Sequence, residues 1–235
     1  NVVKTFSLAY AKDNSAPTAT VEKVDQKYVV VKFNKPVSGL TVNHFWHTFT
    51  AWKAEGIYKA EDFSDANKLS TSDSVDKVWV KFAEDADTGK PIAEGTTTFG
   101  ILGKATDEGG TSYEIKDNWD NKFETTEFTI TVTADKVAPE VTELTVDSEE
   151  SLKVVFSEAV NFSEDNVEIY DTDGKTIDGV NVTVSDVKDS KEWKINLGKN
   201  DLAGKTIVVK IKDVEDLALQ PNRMSTYTTT ITITD

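Results

Sequence analysis

The run Phe6-Ser7-Leu8-Ala9-Tyr10-Ala11-Lys12-Asp13-Asn14-Ser15-Ala16-Pro17 returns without a gap as Phe128-Thr129-Ile130-Thr131-Val132-Thr133-Ala134-Asp135-Lys136-Val137-Ala138-Pro139, at an offset of 122 residues. A repeat of this length means that one structural unit is made more than once, and that constraint outranks any local propensity. A second echo follows at an offset of 123, where Val29-Val30-Val31-Lys32-Phe33-Asn34-Lys35-Pro36-Val37 resembles Leu152-Lys153-Val154-Val155-Phe156-Ser157-Glu158-Ala159-Val160. The closing part of the pattern appears a third time in Tyr227-Thr228-Thr229-Thr230-Ile231-Thr232-Ile233-Thr234-Asp235. The implied order is a closing strand of a preceding domain or a linker over 1–13, a domain over 14–136, and a second domain over 137–235.

Each closing strand alternates. Phe6, Leu8 and Tyr10 face one way, as do Phe128, Ile130 and Val132, and Tyr227, Ile231 and Ile233, with Thr and Ser on much of the other face. Period two with β-branched and aromatic residues marks a half-buried antiparallel strand, and no segment keeps an i, i+3, i+4, i+7 apolar stripe beyond two turns. The chain is therefore expected to be all-β. In the second domain strands are expected near 140–146, 151–156, 166–170, 177–185, 191–197, 205–212 and 225–234, with turns at Asp173-Gly174 and Ala203-Gly204. About seven short strands in ~100 residues is the count of an immunoglobulin-like Greek-key sandwich. The first domain has the same start and end, with insertions expected over 45–75 and 84–110. Pro17 and Pro139 explain the repeated junction, because proline fixes φ, drives its predecessor extended and cannot donate to a ladder. A junction with little Gly or Ser predicts a restricted rather than a flexible tether.

Charge and composition narrow the function. The chain has 41 acidic and 26 basic residues, a net charge of −15, which argues against nucleic-acid phosphate or anionic lipid as a partner and favours divalent cations or basic surfaces. The excess is uneven: residues 137–235 hold 20 acidic and 10 basic side chains, residues 1–136 hold 21 and 16. Like-charge repulsion at low salt then predicts assembly aided by divalent ions or by pairing with a basic region elsewhere. No apolar run is long enough to cross a bilayer and no leader stands at the start, so a soluble, mature or excised segment is expected, without membrane insertion. With no cysteine, disulfides and thiolate chemistry are excluded. There is no Gly-x-Ser-x-Gly, no Gly-rich phosphate loop and no His-Glu-x-x-His, and no carboxylate pair with an arguable acid and base role, so a non-enzyme is expected.

The sequence resembles the tandem bacterial Ig-like domains of surface-layer (S-layer) proteins of Gram-positive bacilli. The likeness rests on three elements in order: the Ala-Pro opening with its following β-branched run, the strand Val154-Val155-Phe156-Ser157-Glu158-Ala159-Val160 with its looser copy Val31-Lys32-Phe33-Asn34-Lys35-Pro36-Val37, and a late turn. The turn reads Ile115-Lys116-Asp117-Asn118-Trp119-Asp120-Asn121-Lys122 in the first domain, with Asp120 where the family has glycine. In the second it runs from Ile211-Lys212-Asp213 to Asn222-Arg223-Met224, longer and without the Gly-Asn pair. The resemblance implies a structural, self-assembling coat on the outside of a bacterial cell wall, whose partners are neighbouring copies of the same protein and adjacent Ig-like domains. The alternative is a cell-surface adhesin or carbohydrate-binding pair.

Two groups of residues carry the candidate chemistry. Asp13 and Asn14 at the first junction, Asp135 at the second, and Asp117, Asp120, Asp213 and Asp216 in the turns offer the oxygen ligands that Ca²⁺ takes in sets of six to eight. The opposed reading is that Asp and Asn are good turn formers. The stretch His44-Phe45-Trp46-His47-Thr48-Phe49-Thr50-Ala51-Trp52 holds both histidines and two of the five tryptophans. Read as one strand, it puts Phe45, His47, Phe49 and Ala51 on one face and His44, Trp46, Thr48, Thr50 and Trp52 on the other. Packing in the core or between modules is favoured over an aromatic platform for sugars at Trp46 and Trp52. His44 and His47, at i and i+3, point to opposite faces and are poorly placed to share a metal.

Overall fold

The structure is a computed structural model, and it describes residues 11–199 and 201–234. The closing strand expected over Phe6–Tyr10 lies outside the described residues. Backbone contacts separate two compact units, Asn1–Ala134 and Asp135–Asp235. Among the described residues there are strands and three single-turn 3₁₀ helices, and no α-helix.

The first unit contains β1 (Ala19–Val24), β2 (Tyr28–Ser38), β3 (Phe45–His47), β4 (Phe49–Lys53), β5 (Gly56–Tyr58), β6 (Val75–Lys81), β7 (Gly95–Ile101), β8 (Lys104–Thr106), β9 (Ser112–Glu114), β10 (Lys116–Asp117) and β11 (Thr126–Val132). One sheet runs β1-β2-β6-β5, with β10 on the far end of β2, and the other runs β11-β7-β3-β4. The second unit contains β12 (Val141–Ser148), β13 (Ser151–Phe156), β14 (Val160–Asn161), β15 (Val167–Tyr170), β16 (Thr183–Lys188), β17 (Glu192–Asn196), β18 (Thr206–Ile211), β19 (Glu215–Asp216) and β20 (Tyr227–Thr232). Its sheets run β12-β13-β17-β16 and β15-β18-β20, with β14 paired to β19. The strand orders match unit for unit. All pairs are antiparallel, and each unit is a β-sandwich.

Alternation builds each core. In the second unit Leu152, Val154 and Phe156 of β13 face inward with Ile195 of β17, and Ile207, Val209 and Ile211 of β18 meet them from the opposite sheet. In the first unit Val29, Val31 and Phe33 of β2 and Val78 and Val80 of β6 meet Phe99 and Ile101 of β7 and Ile130 and Val132 of β11. Outward faces of the closing strands carry threonine ladders such as Thr96–Thr131 and Thr206–Thr232, whose hydroxyls pair at 3.3 and 2.9 Å.

Three expectations need correction. Residues 177–182 are not strand: Val180 N–H donates to the Ile177 carbonyl across the Asp178-Gly179 turn, where Gly179 takes φ +82°, and β16 starts only at Thr183. The first insertion does not begin at 45, because β3 is the counterpart of β15, pairing with β7 as β15 pairs with β18. The added parts are the connection over 59–74 between β5 and β6, where β16 and β17 are joined by only three residues, and the hairpin β8-β9 after β7, whereas β7, inside the expected 84–110 insertion, belongs to the shared sandwich. The stretch 44–52 is not one strand either. Thr48 turns the chain at φ +57°, its N–H bonded to the Thr98 carbonyl at 2.8 Å and its hydroxyl within 3.0 Å of His47 Nδ1, so β3 folds back as β4. Phe49, placed by simple alternation beside Phe45, is instead 61% exposed.

Candidate metal centre

Both units fold their late turn around one buried aspartate. In the first, Asp117 Oδ1 accepts the N–H groups of Trp119 and Asn121 at 2.8 and 2.9 Å, and Oδ2 accepts Asn121 Nδ2 at 2.9 Å. Asn121 Nδ2 also donates to the Asp13 carbonyl, which ties the junction segment to the turn. In the second unit Asp216 Oδ1 accepts Ala218 and Asn222 N–H at 3.0 and 2.9 Å, Oδ2 accepts Asn222 Nδ2 at 2.7 Å, and Asn222 Nδ2 reaches the Asp135 carbonyl. The counterpart of Asp117 is therefore Asp216, with Asp13 matching Asp135. Asp213, which heads the aligned turn in sequence, is exposed at φ +56° and its carboxylate meets Arg223.

A third position completes the cluster, and it differs in charge. In the first unit β10 pairs with β2, Asp117 opposite Val37, so Lys35, two residues back on β2, reaches over Asp117. Lys35 Nζ lies 2.6 Å from Asp13 Oδ2, 3.3 Å from Asp117 Oδ2, and 2.9 Å from both the carbonyl and the hydroxyl of Ser15. Four oxygens of three residues surround one ammonium. In the second unit β19 pairs with β14, Asp216 opposite Val160, and the residue two back is Glu158. One carboxylate oxygen from each of Asp135, Glu158 and Asp216 lies within 4.8 Å of the others, Asp135 exposed, Glu158 half-buried and Asp216 buried.

The protonation equilibria reflect this exchange. Hydrogen bonds from Lys35 and Ser15 hold Asp13 far below the usual carboxylate range. Burial pushes Asp117 up, but the donors on Asn121, Trp119 and Lys35 outweigh it and leave its carboxyl below the ordinary value. Lys35 is raised, chiefly by Asp13. Glu158 moves the other way for a carboxylate: burial raises it, and the charges of Asp135 and Asp216 add to the rise.

The remaining residues predicted as calcium ligands lie elsewhere. Asn14 is exposed, and Asp120 is exposed and bonded to Lys116 Nζ at 2.6 Å. Glu158 was not among the sequence candidates, although the alignment of the β2 and β13 segments already set it against Lys35. A charge reversal in an otherwise similar column was the signal.

The aromatic segment is largely interior. His44 and His47 are fully buried and Trp46 nearly so. His44 Nε2 lies 3.2 Å from the Tyr113 carbonyl and His47 Nε2 2.6 Å from the Lys90 carbonyl, and burial lowers the pKa of both rings. The two imidazoles are engaged by different partners and do not form a common metal site. Trp46 lies across Gly100, its β7 partner, where an added Cβ would stand 2.1 Å from the indole. In the second unit the same pair is Glu168 and Lys210, joined at 2.9 Å. What stays near the surface is Phe49 edge-on to Trp52, with ring centroids 5.3 Å apart.

No protein-family model matches the chain. Over 238 residues it is 27% identical to the Outer cell wall protein of Brevibacillus brevis, an alignment that covers the whole of this chain and 21% of that protein. The chain thus spans about a fifth of the length of this curated relative. No helix among the described residues is long and apolar enough to cross a membrane.

Proposed function

We propose that the chain is a structural, non-catalytic segment of a bacterial cell-surface S-layer protein, in which two Ig-like sandwiches act as spacing and lattice-contact modules. The observation that carries this reading is the alignment of the whole chain with part of an outer cell wall protein, joined to a sandwich made twice with the same strand order. A repeated unit sets a distance, and distance is what a two-dimensional coat needs from its interior modules. Immunogold labelling of intact cells with antibody against the chain is expected to mark the outer surface. In-frame deletion of residues 137–235 from the longer polypeptide is expected to abolish the lattice or change its repeat in electron diffraction. An unchanged repeat overturns the lattice role. The exposed Phe49 ring, edge-on to half-buried Trp52, supports the alternative of a sugar-binding module, because an aromatic face at the surface can stack on a pyranose. Glycan-array binding lost in Trp52→Ala, with circular dichroism unchanged, would favour it.

A further inference from the structure

We propose that His44 is an acid-sensitive latch, which fastens the added hairpin β8-β9 to the first sandwich and releases it when the ring takes a second proton. The ring is fully buried at the end of the 3₁₀ turn Val42–His44, against which β8 lies. Two backbone groups with fixed roles decide which nitrogen carries the proton. Thr41 N–H can only donate, and it donates to Nδ1 at 3.0 Å; the Tyr113 carbonyl can only accept, and it stands 3.2 Å from Nε2. Only the neutral ring with its proton on Nε2 satisfies both. A second proton, on Nδ1, would face the Thr41 N–H. The Thr41 hydroxyl, 2.9 Å from Nδ1, can turn to accept it, but the amide then loses its acceptor and the buried cation has no carboxylate bonded to it.

The second unit makes the same contact with a side chain that does not titrate. Asn166 stands 122 residues after His44, the offset of the opening repeat, and the residues that follow them, Phe45 and Val167, pair with Ile101 and Ile211 in the matching strands. At the 3₁₀ turn Glu164–Asn166, Ser163 N–H donates to Asn166 Oδ1 at 2.8 Å, and Asn166 Nδ2 donates to the Lys212 and Asp213 carbonyls, both at 3.1 Å. An amide offers this acceptor and donor at every pH, whereas imidazole offers them only while neutral. The exchange falls in the unit that carries the added hairpin, and the imidazole donor is spent on that hairpin, since Tyr113 lies in β9 opposite Ala105 of β8.

Burial holds the closed ring below the ordinary histidine value, and the charge of Lys53 on β4 adds to this. On the hairpin, Lys104 of β8 stands opposite Glu114 of β9, and that carboxylate is engaged by Lys122 at 2.8 Å. Asp107 and Glu108 belong to the hairpin tip, where Asp107 accepts the Thr111 N–H. An opened ring returns to ~6.5, so the open form binds protons more readily than the closed one and acid favours opening. The hairpin lines an open groove together with Gly39, Thr71 and Lys116, and its release reshapes that groove.

The test is amide hydrogen exchange of the whole chain from pH 7.5 to 5, read as protection factors corrected for intrinsic rates. Protection of the β8-β9 amides is expected to fall roughly tenfold in the wild type, against a limit of ~30-fold set by an open-state value of ~6.5. These amides are expected to exchange ahead of those of β2, as local opening requires. Folded His47→Gln should keep the fall. His44→Asn, which installs the side chain of the second unit, is expected to lower protection at neutral pH and hold it constant across the range. Nitrogen chemical shifts of the wild-type ring at pH 7.5 are expected to show the proton on Nε2. The latch is overturned by constant wild-type protection, by exchange no faster than that of β2, by a fall that persists in folded His44→Asn or vanishes in folded His47→Gln, or by a ring protonated on Nδ1, a result that needs no variant.

Discussion

The two units share a strand order and a late turn, yet they differ where charge meets structure. The first unit places Lys35 over Asp117 and lays Trp46 across Gly100; the second has Glu158 over Asp216 and an ion pair, Glu168 with Lys210. The cores agree, with Phe33 of β2 answered by Phe156 of β13, both fully buried. A duplicated sandwich thus keeps the aromatic centre of its core and varies at one cross-strand pair, buried in the first unit and charged in the second, and at its strand ends.

The comparison is tested most severely through the core. Phe33→Ala and Phe156→Ala are each expected to cost about 3–5 kcal/mol, and each to lower one transition in differential scanning calorimetry while sparing the other. A single merged transition in both variants would break the picture of two separate units. Next in size, Gly100→Ala forces a methyl into the Trp46 ring and is expected to destabilise the first unit by about 1–3 kcal/mol, read from the shift of its urea midpoint. Lys210→Ala, at the matching position, exposes no such clash and is expected to move the second unit less.

Acid separates the units in another way. His44 and His47 belong to the first unit and the second has no histidine, so only the first should lose stability between pH 7 and about 5. Burial lowers both histidines, so the unfolded chain binds protons at a higher pH than the folded one. Stability is then full above the unfolded value, ~6.5, and falls as pH drops through and below it. Thermal melts followed from pH 7.5 to 5 should show the first transition moving down and the second holding or rising slightly, because burial and the neighbouring Asp135 and Asp216 raise Glu158 above its unfolded value. In the second unit Glu168, held to about 2 by Lys210, Lys212 and Tyr170, remains ionised throughout this window. The smallest effect is expected from Phe49→Ser: with the ring mostly in solvent, the change should stay within about 0.5 kcal/mol. A larger loss would mean that β4 contributes to the core.

Much of the architecture was legible in the sequence because alternation and repetition are strong signals. The closing strands Phe128–Val132 and Tyr227–Ile231 and the β13 segment read correctly from period two. The aromatic stretch did not, because a single positive-φ threonine converts a strand into a hairpin, and threonine carries no turn signature of its own. The stretch 177–182 misled for the reverse reason: Ile177, Val180 and Val182 look strand-like, while Gly179 turns the chain beneath them. At the candidate centre, Asp135 and Asp216 were readable as acidic turn residues, but their meeting with Glu158 depends on the β14–β19 pairing, which joins segments far apart in the chain. Asp213 shows the limit from the other side. Counting from the preceding strand selects it, and the hydrogen bonds of the turn select Asp216.

Lys35 has a thermodynamic consequence of its own. A cation carried on the chain binds by an intramolecular step, at an effective concentration set by the geometry of β2 and unaffected by dilution or by the composition of the medium. Ordering a four-carbon side chain is the entropic cost of that arrangement, and it is met once, during folding. The first unit therefore closes its entry clasp autonomously, and its tether to Asp13 persists wherever the sandwich itself is folded.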